Sequence, residues 1–115
     1  MRNRRPRREK SYSVLLGTAK SGRAGEKLSS ADEARIQQIT RAQFPAGFTI
    51  LNAEGGWYDS EHGKFVHEEA RQIIVATRFP GKLKAWCTEL GHALKQKEVL
   101  VTEIGPVFSF SFRRE

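Results

Sequence analysis

Cysteine is nearly absent. Cys87 stands alone among 115 residues, so no disulfide can close within the chain and no cysteine-built zinc site can be assembled. Such a chain suits a reducing compartment, and a cytoplasmic location is the expectation. Long apolar runs are missing as well: none approaches the roughly 20 residues that a membrane-spanning helix needs. The stretch Tyr12-Ser13-Val14-Leu15-Leu16-Gly17-Thr18-Ala19 follows basic residues as an export signal does. Ser13 interrupts it, however, and no clean small-x-small cleavage site comes after it. A phosphate loop is excluded too, because Gly17 and Gly22 have the right separation but Arg23-Ala24 follows where Lys-Ser/Thr is required. The histidines His62, His67 and His92 match no ligand spacing such as His-Glu-x-x-His, so neither a metal nor a cofactor is expected.

Charge is abundant but lopsided. The formal net charge is +7, and residues 1–10 hold six basic side chains against Glu9, so this short stretch carries +5 and the rest only +2. A disordered basic tail over 1–10, followed by one α+β domain over 11–115, is the expected organisation. Arg2, Arg4, Arg5, Arg7 and Arg8 could neutralise phosphates and give salt-sensitive binding to nucleic acid. No aromatic residue interleaves with them and no base-reading module accompanies them, so any such binding would be blind to sequence.

The chain as a whole has a globular balance, with 38% hydrophobic and 29% charged residues. Tyr12 to Thr18 reads as a buried strand and residues 20–28 as a polar loop. Ser30 and Glu33 form a capping-box pattern ahead of a helix with Ile36 and Ile39 on its apolar side, ended by Pro45. Phe48–Ala53 reads as a strand, Glu54–Gly63 as a glycine-enabled turn region, and Lys64–Arg78 as the returning strand of a hairpin. Leu83, Trp86, Cys87, Leu90, Ala93 and Leu94 make one helical stripe, with Pro80 near its start and Lys95 and Lys97 near its end. Val99–Thr102 is a further strand. After Pro106, Phe108, Phe110 and Phe112 alternate with serines as an additional C-terminal strand would. The order β-α-β-β-α-β is that of a ferredoxin-like sandwich, with two helices on one sheet face and the other face left for water, a ligand or a second copy.

Several short motifs, taken in order, resemble the bacterial domain of unknown function 3574. They are Phe44-Pro45-Ala46-Gly47-Phe48-Thr49, then Gly56-Trp57, Gly63 and Glu68, and finally Lys95-Gln96-Lys97-Glu98-Val99-Leu100. The resemblance spans about residues 12–112. It implies a ferredoxin-like fold and no activity, and it makes Glu68 the first candidate for a chemical site.

Two local patterns carry the remaining candidates. Trp57, Tyr58 and Asp59 in the hairpin segment, with Arg71 further on, could wall a ligand pocket and supply its polar contacts. Glu68 with His67 could serve proton transfer, although strand alternation puts His67, Glu69 and Arg71 on one face and Glu68 with Gln72 on the other. Cys87 belongs to an apolar stripe and reads as core. Three functions stand in competition. The first is a self-associating module that uses the free sheet face and binds a small ligand or a protein. The second is a small-molecule enzyme using Glu68 and His67. The third is nonspecific nucleic-acid binding through the arginine tail.

Overall fold

The computed structural model describes residues 9–17, 28–96 and 98–110. Six elements follow in order: β1 (Lys10–Gly17), α1 (Ser30–Gln43), β2 (Thr49–Asp59), β3 (Lys64–Thr77), α2 (Pro80–Ala93) and β4 (Leu100–Pro106). The strands form one antiparallel sheet in the order β2-β3-β1-β4. Each helix thus crosses over an intervening strand, α1 over β3 and α2 over β1, which is the ferredoxin-like arrangement.

Alternation sorts the two faces. Tyr12, Val14 and Leu16 of β1 and Ile73 and Val75 of β3 are buried beneath the helices, with Val14 opposite Ile73 and Tyr12 opposite Val75. Helix α1 contributes Ile36 and Thr40, and α2 contributes Leu83, Trp86 and Leu90, to the same core. Trp86 is its largest fully buried side chain. Its ring meets Phe44 edge-on, with centroids 5.0 Å apart at 82°, a favoured geometry for aromatic quadrupoles. Its indole N–H donates to Thr40 Oγ1 at 3.1 Å, so a polar residue sits inside α1 to serve a polar atom of α2.

The helix ends differ in detail from the sequence reading. The N-cap of α1 is Ser29 rather than Ser30. Asp32 N–H donates to Ser29 Oγ, and the Asp32 carboxylate accepts from the Ser29 N–H, so Asp32 takes the place expected for Glu33. Glu33 is used instead to reach Arg71 on β3. Helix α2 begins with Pro80 at its first turn, as expected. It ends in a Schellman motif, in which Gln96 N–H reaches back to Gly91 O at 2.9 Å and Lys95 N–H to His92 O at 3.4 Å. This geometry puts Lys95 in the left-handed region at φ 54°, a position that glycine fills without strain.

Three element boundaries also move. Strand β1 starts at Lys10, inside the stretch assigned to the tail, because Lys10 pairs with both Thr77 and Pro106. The segment Glu54–Asp59 is strand, not turn, and the reversal is confined to residues 60–63. Gly56 is tolerated in the strand because the Phe65 ring lies over the space a Cβ would occupy. Residues 107–110 form no fifth strand, since the last pairing of β1 is already taken by β4; Val107 adds one N–H to Glu9 O at 2.9 Å and the ladder stops. Ser111 and Phe112, residues 18–27, which hold most of the stretch expected as a loop, Lys97 and the arginines of residues 1–8 lie outside the described residues.

Two stability outcomes follow. Lys95→Gly should stabilise the fold by about 1 kcal/mol by relieving the left-handed lysine. Thr40→Val keeps the side-chain shape but strands the buried indole N–H of Trp86, and should cost about 1–3 kcal/mol. Urea unfolding followed by Trp fluorescence measures both.

Candidate functional site

The side of the sheet away from the helices carries the first feature. In β1, Ser13 and Leu15 point there; in β2, Leu51, Ala53 and Trp57; in β3, Val66, Ala70, Gln72 and Ile74; and in β4, Leu100. Leu15, Leu51, Trp57 and Leu100 are all exposed large apolar side chains. Of the polar residues on this face, Gln72 Nε2 donates to Ser13 Oγ at 2.8 Å near the centre, and Thr49 and Thr102 lie on the outer strands β2 and β4. Charged residues on this face are confined to the hairpin end, where β2 and β3 present Asp59, Lys64 and Glu68. A neutral, apolar centre is the composition found at the middle of protein interfaces.

The hairpin itself is the second feature. Trp57 stands opposite Val66 on the open face, whereas Tyr58 and Phe65 stand opposite each other on the helix side. Trp57, Tyr58 and Phe65 are 43%, 62% and 70% exposed. The tip is held by Asp59, whose carboxylate accepts N–H groups from Glu61 at 3.0 Å and His62 at 3.3 Å. The same carboxylate meets His62 Nδ1 at 2.7 Å. The hydrogen bond from the His62 side chain, against a smaller opposing effect of burial, holds the Asp59 carboxyl below the usual carboxylate range. Gly63, at φ 62°, closes the turn. Donor atoms of Asp59, Glu61 and His62 lie within 4.8 Å of one another, but Asp59 and His62 are engaged with each other and Glu61 and His62 are exposed, so this trio is a turn device rather than an assigned metal site.

The remaining sequence candidates are dispersed. Arg71 is tied to Glu33 of α1, with Nε at 3.1 Å from Glu33 Oε1, and its side chain is mostly covered. It pairs with Asn52, five positions along β2 from Trp57, so roughly 17 Å of strand separates it from that ring. Arg71 therefore joins helix to sheet instead of sharing a pocket with Trp57 and Tyr58. His67 faces the helix side near Glu54, with Nε2 at 3.7 Å from Glu54 Oε2 and both side chains exposed. Glu68 lies on the other face with its carboxylate over Gly17. A substrate on one copy cannot touch both His67 and Glu68 from the same side of the strand. Arg2, Arg4, Arg5, Arg7 and Arg8 lie outside the described residues.

A groove of about 560 Å³ between α2 and the β4 side of the sheet was not foreseen. Leu83, Cys87, Val99 and Val101 give it an apolar lining, and Lys84, His92 and Glu98 give it polar ones. Burial raises the Cys87 thiol, which keeps it protonated and unreactive. The sequence held only half the signal: the α2 stripe was legible, but that its Cys87 side meets Val99 and Val101 depends on β4 pairing beside β1.

The match to known proteins spans most of the chain. The family model described as "Protein of unknown function (DUF3574)" matches residues 11–102. The chain belongs to this family. No curated protein matches it. Among solved structures, this DUF3574 protein is similar to a phage SAM lyase in complex with S-methyl-5'-thioadenosine, at 21% identity over 91% of this chain and 88% of that one, TM-score 0.62. It is also similar to CutA1 from Oryza sativa, at 14% identity over 92% and 87%, TM-score 0.58. The periplasmic divalent cation tolerance protein CutA from Archaeoglobus fulgidus gives 13% identity over 91% and 88%, TM-score 0.56. At these identities the likeness is one of fold. Among the described residues of this family member, no helix is long and apolar enough to cross a membrane.

The Asp59 turn has a pH signature. Because its folded pKa is depressed, its contribution to the tip is complete above the ordinary carboxylate pKa and is lost as pH falls through the lowered value. The amide resonances of Glu61 and His62 should therefore titrate with a midpoint below that of an unperturbed aspartate. Asp59→Asn should abolish that titration while keeping the turn, and Asp59→Ala should broaden both resonances at every pH.

Proposed function

We propose that this protein is a self-associating binding module: copies meet through the open face of the sheet, and the assembly binds a small ligand or a protein partner, within the cytoplasm. One observation carries the reading, the neutral apolar centre built by Leu15, Leu51, Ile74 and Leu100 on a face that no helix covers. A soluble antiparallel sheet with one wet face ordinarily alternates apolar-in with polar-out. Here leucines occupy positions where polar residues would be expected, and at the centre Gln72 donates to Ser13, so burying the face can keep that hydrogen bond in place. The separation of His67 from Glu68 across the strand supports binding over a proton-transfer pair. The groove beside α2, whose volume is within the range of small-molecule pockets, supports a ligand site on each copy. The ligand bound by the phage lyase is a reasonable first compound to assay, as a choice prompted by fold.

Analytical ultracentrifugation of the full chain should give a mass above that of one chain. Leu51→Lys places an ammonium in the middle of the face and should weaken association about 30-fold, or roughly 2 kcal/mol, with the far-ultraviolet circular dichroism unchanged. A native chain that sediments as a monomer at high concentration removes this reading.

A further inference from the structure

The β2–β3 hairpin outruns its support. Among the described residues, β1 makes its last pair with β3 at Gly17–Ala70, whereas β2 and β3 stay paired out to Asp59–Lys64. Residues 54–69 therefore form a two-stranded arm beyond the third strand. A two-stranded ribbon is at best marginally stable in water. This one exposes Trp57 on one face and Tyr58 and Phe65 on the other.

Charge separates the arm from the rest. It holds five acids against Lys64, a net −4 with histidines neutral, which leaves the other residues at +11. At the far end of the sheet, where α1 stops and α2 starts, Arg41, Lys82 and Lys84 are exposed, and Lys82 Nζ donates to Gln43 O at 3.2 Å, which holds it against the end of α1. The arm cannot meet this end in its own chain. From Glu69 at the base of the arm to Thr77 at the end of β3, eight positions of strand run between the two, roughly 26 Å of extended backbone. Area adds to the case. Four strands, each about 4.8 Å from the next, over six residues present roughly 400 Å² of open sheet, half of the about 800 Å² per partner in a stable interface. Trp57 and Val66 continue that face onto the arm, so the arm can supply much of the shortfall.

We propose that the arm of one copy lies along a second copy of this chain, with its aromatic side chains against apolar surface and its carboxylates toward the basic end marked by Arg41, Lys82 and Lys84. The contact joins different surfaces of the two copies, head to tail, and a rotation that closes makes a ring. The inference rests on the self-associating reading and adds the partner surface to it.

The test uses the full chain and reads mass by light scattering. Glu54→Lys with Glu69→Lys should weaken association at least tenfold at 0.15 M salt and leave the circular dichroism unchanged. Lys82→Glu with Lys84→Glu should do the same. An equimolar mixture of the two variants should associate, because each then offers the charge the other needs. If the native chain is oligomeric and Leu51→Lys dissociates it while both reversals keep the native mass, the arm plays no part and only the open-face reading stands. If the mixture stays dissociated, charge complementarity between arm and basic end is rejected. A monomeric native chain removes both.

Discussion

Both crossovers pass on the same side of the sheet, and the rest of the molecule is arranged around that constraint. A strand-helix-strand connection between parallel strands is right-handed. Here β1-α1-β2 skips over β3, and β3-α2-β4 skips over β1. The two units run in opposite directions and interleave, so their helices share one face and meet over the central strands. Trp86 fills that junction, with its edge on Phe44 and its N–H on Thr40. The same event that dries one face leaves the other without a helix to cover it.

The bare face, the protruding hairpin and the groove beside α2 are consequences of one topology. Central β1 is short, and β3, its neighbour, is nearly twice as long. Among the described residues, the excess length of β3 pairs with β2 alone, and the result is an arm. On the opposite side, β4 is exposed along most of its length, and α2 overlies it incompletely, which opens the groove. A chain built in this way has apolar surface at several places outside its core. The proposed self-association would remove part of it from water.

Polar residues in the described parts serve mostly to position elements. Arg71 reaches Glu33 and ties β3 to α1; Gln96 reaches Gly17 O and ties the end of α2 to β1; Asp59 gathers the hairpin tip. Surface pairs of this kind contribute little individually, but they select an orientation. Their dispersal also keeps His67 and Glu68 on opposite faces of β3 among the described residues.

Much of the scaffold was legible in the chain alone. The α2 stripe, the element order, Pro80 at a helix start and the family motifs around Phe44 and Trp57 are local or periodic signals, and periodicity reports which side of an element is wet. The hairpin boundary was misread because Gly55-Gly56 signals a turn locally, while Phe65, a residue from the other strand, makes Gly56 compatible with a ladder. The helix cap shifted by one residue because Ser29 and Ser30 are chemically equal and only the position of the helix on the sheet chooses between them. Separation in space had the same character: Arg71 and Trp57 are close in the sequence list of candidates, yet register holds them on different parts of β2 and β3. Sequence by itself determined the elements and which side of each is apolar, since those follow from spacing along one chain. Tertiary structure alone decided which apolar surfaces remain in contact with water, because that depends on where pairing stops and on what the crossovers cover.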